Sequence, residues 1–236
     1  MYKGVWEKNC VISPSLITLD LCNLESEAKL VEESGLSCLH IDILDGHFSP
    51  SMPLGLDTVA ALAKRTSLVM EAHLMATEPQ FFVDELLRAG VEQICFQIET
   101  APHVDQMINY IHSHGVRAGV ALKPATPLHE LEYILEKCDT VLLMLINPGF
   151  AQMAGEAQVP YAERKIRELH RMIRERGLST MVELDGRVSE DNIRSYASDG
   201  AAQIFAAGST CIRRDDKKAS LLHLKELEDS LQKTGS

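Results

Sequence analysis

Four residues of this chain combine side chains that bind divalent cations with side chains that move protons: His40, Asp42, His73 and Asp185. The first two stand in His40-Ile-Asp42-Ile-Leu-Asp45-Gly46-His47, which begins in a run that reads as a buried strand. Side chains alternate along a strand, so His40 and Asp42 share one face while Leu39, Ile41 and Ile43 take the other. An apolar strand carries an imidazole and a carboxylate inward only if something pairs with them, and this fragment by itself leaves a structural ion pair open. His73 lies in a second apolar run with Met75 on its face, and Asp185 closes a third, on the same face as Glu183. Imidazole with carboxylate suits Zn²⁺, Fe²⁺, Mn²⁺ or Co²⁺, and the lack of thiolate argues against a closed structural zinc site. One such residue at a strand end has a plain packing explanation. Four at one level point to a metal site.

Bringing three strands to one level requires a sheet whose strand ends converge. Short apolar runs recur along the chain at Cys10–Leu16, Cys38–Ile43, Leu68–Met75, Gln93–Ile98, Arg117–Leu122, Thr140–Ile146, Thr180–Leu184 and Gln203–Ala207. Helical patterns separate them: Leu24–Ser34, Leu56–Arg65, Gln80–Ala89, Val104–His114, Leu128–Lys137, Tyr161–Arg176, Glu190–Asp199 and Lys217–Lys233. Gly35, Gly90, Gly115, Gly177 and Gly200 follow these patterns as C-terminal caps do. Pro79, Pro127 and Pro160 stand near helix starts, and Ser189 before Glu190 and Asp191 reads as an N-cap. Eight strand–helix units in a 236-residue chain predict a single-domain α/β fold, a closed (β/α)8 TIM barrel. A doubly wound open sheet would need a glycine-rich turn after the first strand, where Thr18-Leu19-Asp20 stands instead. In a barrel the chemistry lies at the C-terminal ends of the strands, and the polar residues fall there.

Composition excludes several partners. With a net charge of −11 and the Arg164–Arg176 segment interleaved with glutamates, a nucleic-acid surface is not expected. No apolar run is long enough to cross a bilayer, and Met1–Asn9 lacks the apolar core of a signal peptide, so a cytoplasmic protein is expected. The six cysteines are scattered without a CxxC pair and read as buried free thiols. An acidic protein that binds a small anion must do so with local donors. The six histidines His103, His112, His114, His129, His170 and His223 fall on helical patterns or their starts and read as surface residues.

Taken in order, these segments resemble the ribulose-phosphate 3-epimerase family from Val11 to Ile212. The matching pieces are Ile12-Ser13-Pro14-Ser15-Leu16, His40-x-Asp42-x-x-Asp45-Gly46-His47-Phe48 and His73-Leu74-Met75, then Gly119 to Pro127, Met144 with Asn147-Pro148-Gly149-Phe150, Glu183-x-Asp185-Gly186, and Ala207-Gly208-Ser209. The resemblance implies one divalent metal ion per subunit (Zn, Fe, Mn or Co) held by His40, Asp42, His73 and Asp185. It also makes Asp42 and Asp185 the acid/base pair. Ser15, His73, Met75, Met144, Gly149, Gly186, Arg187, Gly208 and Ser209 would meet the substrate, a phosphorylated ketose epimerised at C3 through a metal-stabilised enediolate. A homo-oligomer is expected on the same ground.

The chain departs from the family pattern at the anion end. Ala151-Gln152-Met153 replaces the usual glycine-rich continuation after Phe150, and Arg187 replaces a second glycine after Gly186. Leu44 stands for a methionine and Gln97 for a histidine. The substrate is therefore D-ribulose 5-phosphate/D-xylulose 5-phosphate or a related sugar phosphate, with a D-allulose 6-phosphate 3-epimerase as one alternative. A non-catalytic barrel that binds a sugar phosphate is the alternative from another class. A decarboxylase of the orotidine-monophosphate type would need a lysine in the strand motif, and Asp42-Ile-Leu-Asp45 has none.

Overall fold

The computed structural model describes residues 4–149, 153 and 155–232. Phe150, Ala151 and Gln152 of the altered loop, and Lys233 at the expected end of the last helix, lie outside the described residues. Eight strands form one all-parallel sheet: β1 (Val11–Pro14), β2 (Cys38–Leu44), β3 (Val69–Met75), β4 (Gln93–Gln97), β5 (Arg117–Leu122), β6 (Thr140–Met144), β7 (Met181–Asp185) and β8 (Ile204–Ala207). Each strand pairs with its neighbour in sequence, and β1 pairs with β8. The remaining gap, between β1 and β2, is narrowed by a parallel bridge from Ser15 to His40. The expected barrel is present.

Among the described residues, seven α-helices surround it: α1 (Leu24–Ser34), α2 (Leu56–Ala63), α3 (Pro79–Ala89), α4 (Val104–Ser113), α5 (Ala162–Glu175), α6 (Glu190–Ser198) and α7 (Lys217–Gln232). The helix expected over Leu128–Lys137 is instead two 3₁₀ turns, Leu128–Leu131 and Leu135–Lys137. Buried Leu131, Ile134 and Leu135 keep the three-and-four spacing that suggested a helix. Only ten residues return the chain along the barrel here. A 3₁₀ segment rises about 2.0 Å per residue against about 1.5 Å for an α-helix, so it covers the length that an α-helix of this size would miss. Among the described residues, no helix is long and apolar enough to cross a membrane.

Barrel closure buries both faces of every strand, so β2 and β3 carry no exposed position. Outward residues such as Leu39, Ile41, Ile43, Phe96 and Phe205 pack under the helices in one apolar cluster. Inside, the tiers differ. Val11, Cys38, Val69, Met181 and Ile204 fill the bottom, covered by Val5 and Trp6. Leu44, Met75, Cys95, Ala121, Leu142 and Met144 form an apolar group nearer the top, with Phe48 packed against it. Polar and charged side chains occupy the space between and beside them, and these determine what the barrel can do. Five of the six cysteines are buried and all six are free.

Candidate metal and acid/base centre

The sheet register brings the expected residues together. Asp42 pairs with His73 across β2 and β3, and Met144 with Asp185 across β6 and β7, while β1 and β8 separate β2 from β7. Asp42 and Asp185 therefore reach the same space from different sides of the mouth. His40 Nε2 lies 3.2 Å from Asp42 Oδ1, and His73 Nδ1 lies 3.3 Å from both Asp42 Oδ1 and Asp185 Oδ2. One donor atom from each of the four falls within 4.8 Å of every other.

These spacings fit a cation better than a hydrogen-bond network. His73 Nδ1 is buried and makes no aligned hydrogen bond, although two carboxylates stand beside it. A tetrahedral ion with bonds of about 2.0–2.1 Å sets its ligand atoms about 3.3–3.4 Å apart, close to the three separations found here. The two imidazoles use opposite nitrogens. His40 offers Nε2 because its Nδ1 faces Glu71 Oε1 at 2.6 Å, and His73 offers Nδ1 because its Nε2 faces the Gln97 amide at 2.8 Å. Such outer partners fix which ring nitrogen carries the proton. The residues fit a divalent metal.

Without an ion, the charges hold protons in its place. Burial alone would lower the pKa of His73, but Asp185 and Asp42 outweigh it and raise the value to about 9. His40 is likewise held well above its ordinary value by Glu71 and Asp42 against the opposing effect of burial. Burial would raise Asp42, yet the two imidazoles hold it far below the usual carboxylate range. Ser15 Oγ donates to Asp42 Oδ2 at 3.2 Å, fixing the second oxygen of that carboxylate.

Glu71 and Glu183 carry a role that sequence reading did not assign. Both are fully buried below the four, and Glu183 Oε1 is 3.3 Å from the same His40 Nδ1 that Glu71 receives. Ser13 donates to Glu71 and Gln93 to Glu183. Glu71 Oε2 and Glu183 Oε1 have no donor unless one carboxyl keeps its proton. Burial, with Glu183 opposite, pushes the Glu71 carboxyl up to about 8. The signal was available: Glu71 stands two residues before His73 on the same strand face.

Above the four residues a cleft opens, lined by Ser15, Asp42, Met75, Met144, Gly149, Asp185, Gly186, Arg187, Gly208 and Ser209. Every expected substrate-facing residue except His73, which is buried beneath, lies on that wall. Leu44, noted above as standing for a methionine, also lines it, and so do Ile146 and Thr210, which were not singled out from sequence. Close loop contacts shape it. Gly149 has φ 75°, and a Cβ there would overlap Ser49, whose Oγ donates to Pro148 O at 2.9 Å. Gly186 has φ 106°, and a Cβ would come within 2.9 Å of the Ile146 amide nitrogen. Asp45 holds the β2 loop by accepting from the amides of His47, Phe48 and Thr77, donors that outweigh its partial burial and lower its pKa to about 2.

The profile of the "Ribulose-phosphate 3 epimerase family" matches residues 11–212 of this chain. The chain belongs to the ribulose-phosphate 3-epimerase family. It is thereby an enzyme of the epimerase type. Ribulose-phosphate 3-epimerase of Synechocystis sp. is 36% identical over 204 residues, covering 86% of this chain and 87% of that protein. The Bacillus subtilis enzyme of the same name is 34% identical, covering 91% of this chain and 97% of its own length. The chloroplastic ribulose-5-phosphate-3-epimerase of Arabidopsis thaliana is 33% identical over 90% and 75%. Among solved structures, 3-keto-L-gulonate-6-phosphate decarboxylase from Vibrio cholerae superposes with a TM-score of 0.68 over 94% of this chain and 98% of that one. At 12% identity, that likeness speaks for the fold alone.

Proposed function

We propose that this chain inverts C3 of a phosphorylated ketose, using Asp42 and Asp185 as opposed acid and base over a divalent metal site. The observation that carries this reading is the pair of carboxylates, one from β2 and one from β7, each 3.3 Å from the buried His73 Nδ1. Epimerisation beside a carbonyl removes a proton from one face of a planar enediolate and returns one to the other. Asp42 accepts the C3 proton on one side and Asp185 delivers one on the other, or the reverse for the opposite epimer. His40, Asp42, His73 and Asp185 would hold the ion, which when bound supplies positive charge for the oxyanion next to C3.

The rest of the pocket serves proton economy. Met75 and Met144 are buried and offer no exchangeable proton that could quench the carbanion. Their apolar walls keep water out of the space where the carbanion forms. Ser15 orients Asp42. Gly186, Arg187, Gly208 and Ser209 form the opposite part of the cleft, where backbone amides and the guanidinium receive the phosphate.

Arg187 supports an assignment of its side chain to the anion. Its backbone has φ 49°, the sole positive value on a non-glycine among the described residues. That conformation costs an L-residue about 1–2 kcal/mol, and it places the guanidinium, which donates to Met153 O at 3.0 Å, on the cleft wall. D-ribulose 5-phosphate and D-allulose 6-phosphate are the substrates to compare first.

Deuterium wash-in at C3 from D₂O, read by NMR with Zn²⁺, Mn²⁺, Fe²⁺ or Co²⁺ added, tests the reading. Exchange on at least one ketose phosphate, lost in Asp185→Asn, is the expected result. Tight binding of the panel with no exchange would replace the enzyme by a silent sugar-phosphate-binding barrel.

A further inference from the structure

Gln97 and Glu99 lie outside the four residues assigned to the metal, yet they are joined to one of them. Gln97 ends β4 and is fully buried, with its side-chain amide 2.8 Å from His73 Nε2. Turned so that its oxygen faces His73, the amide meets its polar neighbours: the oxygen accepts from His73 Nε2, and the nitrogen donates to Glu99 Oε2 at 2.7 Å and to Ala121 O at 3.2 Å. The other oxygen of Glu99 accepts from the Lys123 amide at 2.8 Å and from the Thr126 hydroxyl. Its position is therefore fixed by the loop that follows β5, although the carboxylate is exposed.

Two acceptors fix the polarity of this chain. The Glu99 carboxylate and the Ala121 carbonyl can only accept, so the Gln97 nitrogen must point at them and its oxygen at His73. An oxygen at that point requires a proton on His73 Nε2. The lone pair of the neutral ring is then at Nδ1, the atom beside Asp42 and Asp185. We infer that Gln97 and Glu99 are positioning residues for the metal site, a two-link relay that selects the His73 tautomer able to ligate through Nδ1. This rests on the metal reading proposed above. The histidine of β2 is served differently, since His40 Nδ1 meets Glu71 directly inside the barrel. One ligand is thus oriented from the core and the other from the surface loop after β5.

Glu99→Gln is the informative substitution because it keeps size and lies at an exposed position. Its new NH₂ would face the Gln97 nitrogen if its oxygen stays on Lys123 and Thr126. The Gln97 amide then turns, giving up its bond to Ala121 O, presents its nitrogen to His73 Nε2, and moves the ring proton to Nδ1, where it blocks ligation. Zn²⁺ affinity, measured by competition with a chromophoric chelator, should fall about 10- to 100-fold in Glu99→Gln and in Gln97→Leu. Long-range ¹H–¹⁵N spectra of the metal-free protein at pH 10 give an independent readout. They should show His73 protonated at Nε2 in the wild type and at Nδ1 in Glu99→Gln. Unchanged affinity in both variants, or an Nδ1–H ring in the wild type, overturns the relay. A wild-type protein that takes up no divalent ion but shows the tautomer switch would overturn the metal reading and leave the relay standing.

Discussion

Metal uptake should expel protons, and the amount follows from the site. In the metal-free protein His73 is held protonated to about pH 9 by Asp185 and Asp42, and His40 is raised by Glu71 and Asp42. A ligating imidazole must be neutral. At pH 7 the His73 proton lies two units below its pKa, so displacing it costs about 2.7 kcal/mol, roughly a 100-fold loss of apparent affinity relative to alkaline pH. Between pH 6.5 and 8.5 the apparent Kd for Zn²⁺ should therefore fall about tenfold per unit from His73 alone, and more steeply as His40 contributes. Calorimetric titration in two buffers of different ionisation enthalpy counts the protons directly, and one to two per ion are expected at pH 7. The same linkage acts on folding with opposite sign. A raised histidine pKa stabilises the metal-free fold fully below the unfolded value near 6.5, and that contribution is lost as pH rises through about 9. Its full size is about 3 kcal/mol, or roughly 6–12 °C in Tm for a chain of this length. The Tm gap between loaded and metal-free protein should thus widen from pH 6.5 to 9. A flat affinity profile with no protons released would refute the assignment of these four residues to an ion.

Two substitutions probe the surroundings. Arg187→Gly relieves the left-handed backbone but removes the guanidinium; KM for the phosphorylated ketose should rise about 10- to 100-fold, as for a lost charge-assisted hydrogen bond, while the Tm stays within a few degrees of the wild type. An unchanged KM would mean that backbone amides alone hold the phosphate. Gly119→Ala places a Cβ against Cys95 Sγ and 2.7 Å from Thr140 O inside the barrel. Chemical denaturation should show about 1–3 kcal/mol of lost stability, only partly recovered by adding Cys95→Ala, because the backbone oxygen does not move away. Complete recovery would place the whole strain on the sulfur.

The sequence by itself determined the alternation of eight apolar strands with amphipathic segments, because burial of both strand faces leaves continuous apolar runs and the helices keep a one-sided pattern. It also determined the metal-type residues, since His40 and Asp42 inside an apolar strand need partners wherever the strand lies. Ser189 was readable as a cap because capping is local: its hydroxyl accepts from the Asn192 amide, and the Asn192 side chain answers. The 3₁₀ turns at Leu128–Lys137 were not readable, because the same apolar spacing serves either helix and the distance to be spanned belongs to the barrel. Only the tertiary structure chose which imidazole nitrogen faces the site, since Glu71 and Gln97 reach His40 and His73 from neighbouring strands. It also gave Glu71 and Glu183 their shared position below His40. Periodicity is written in each segment separately, whereas the distance between side chains on different strands exists only once the sheet has closed.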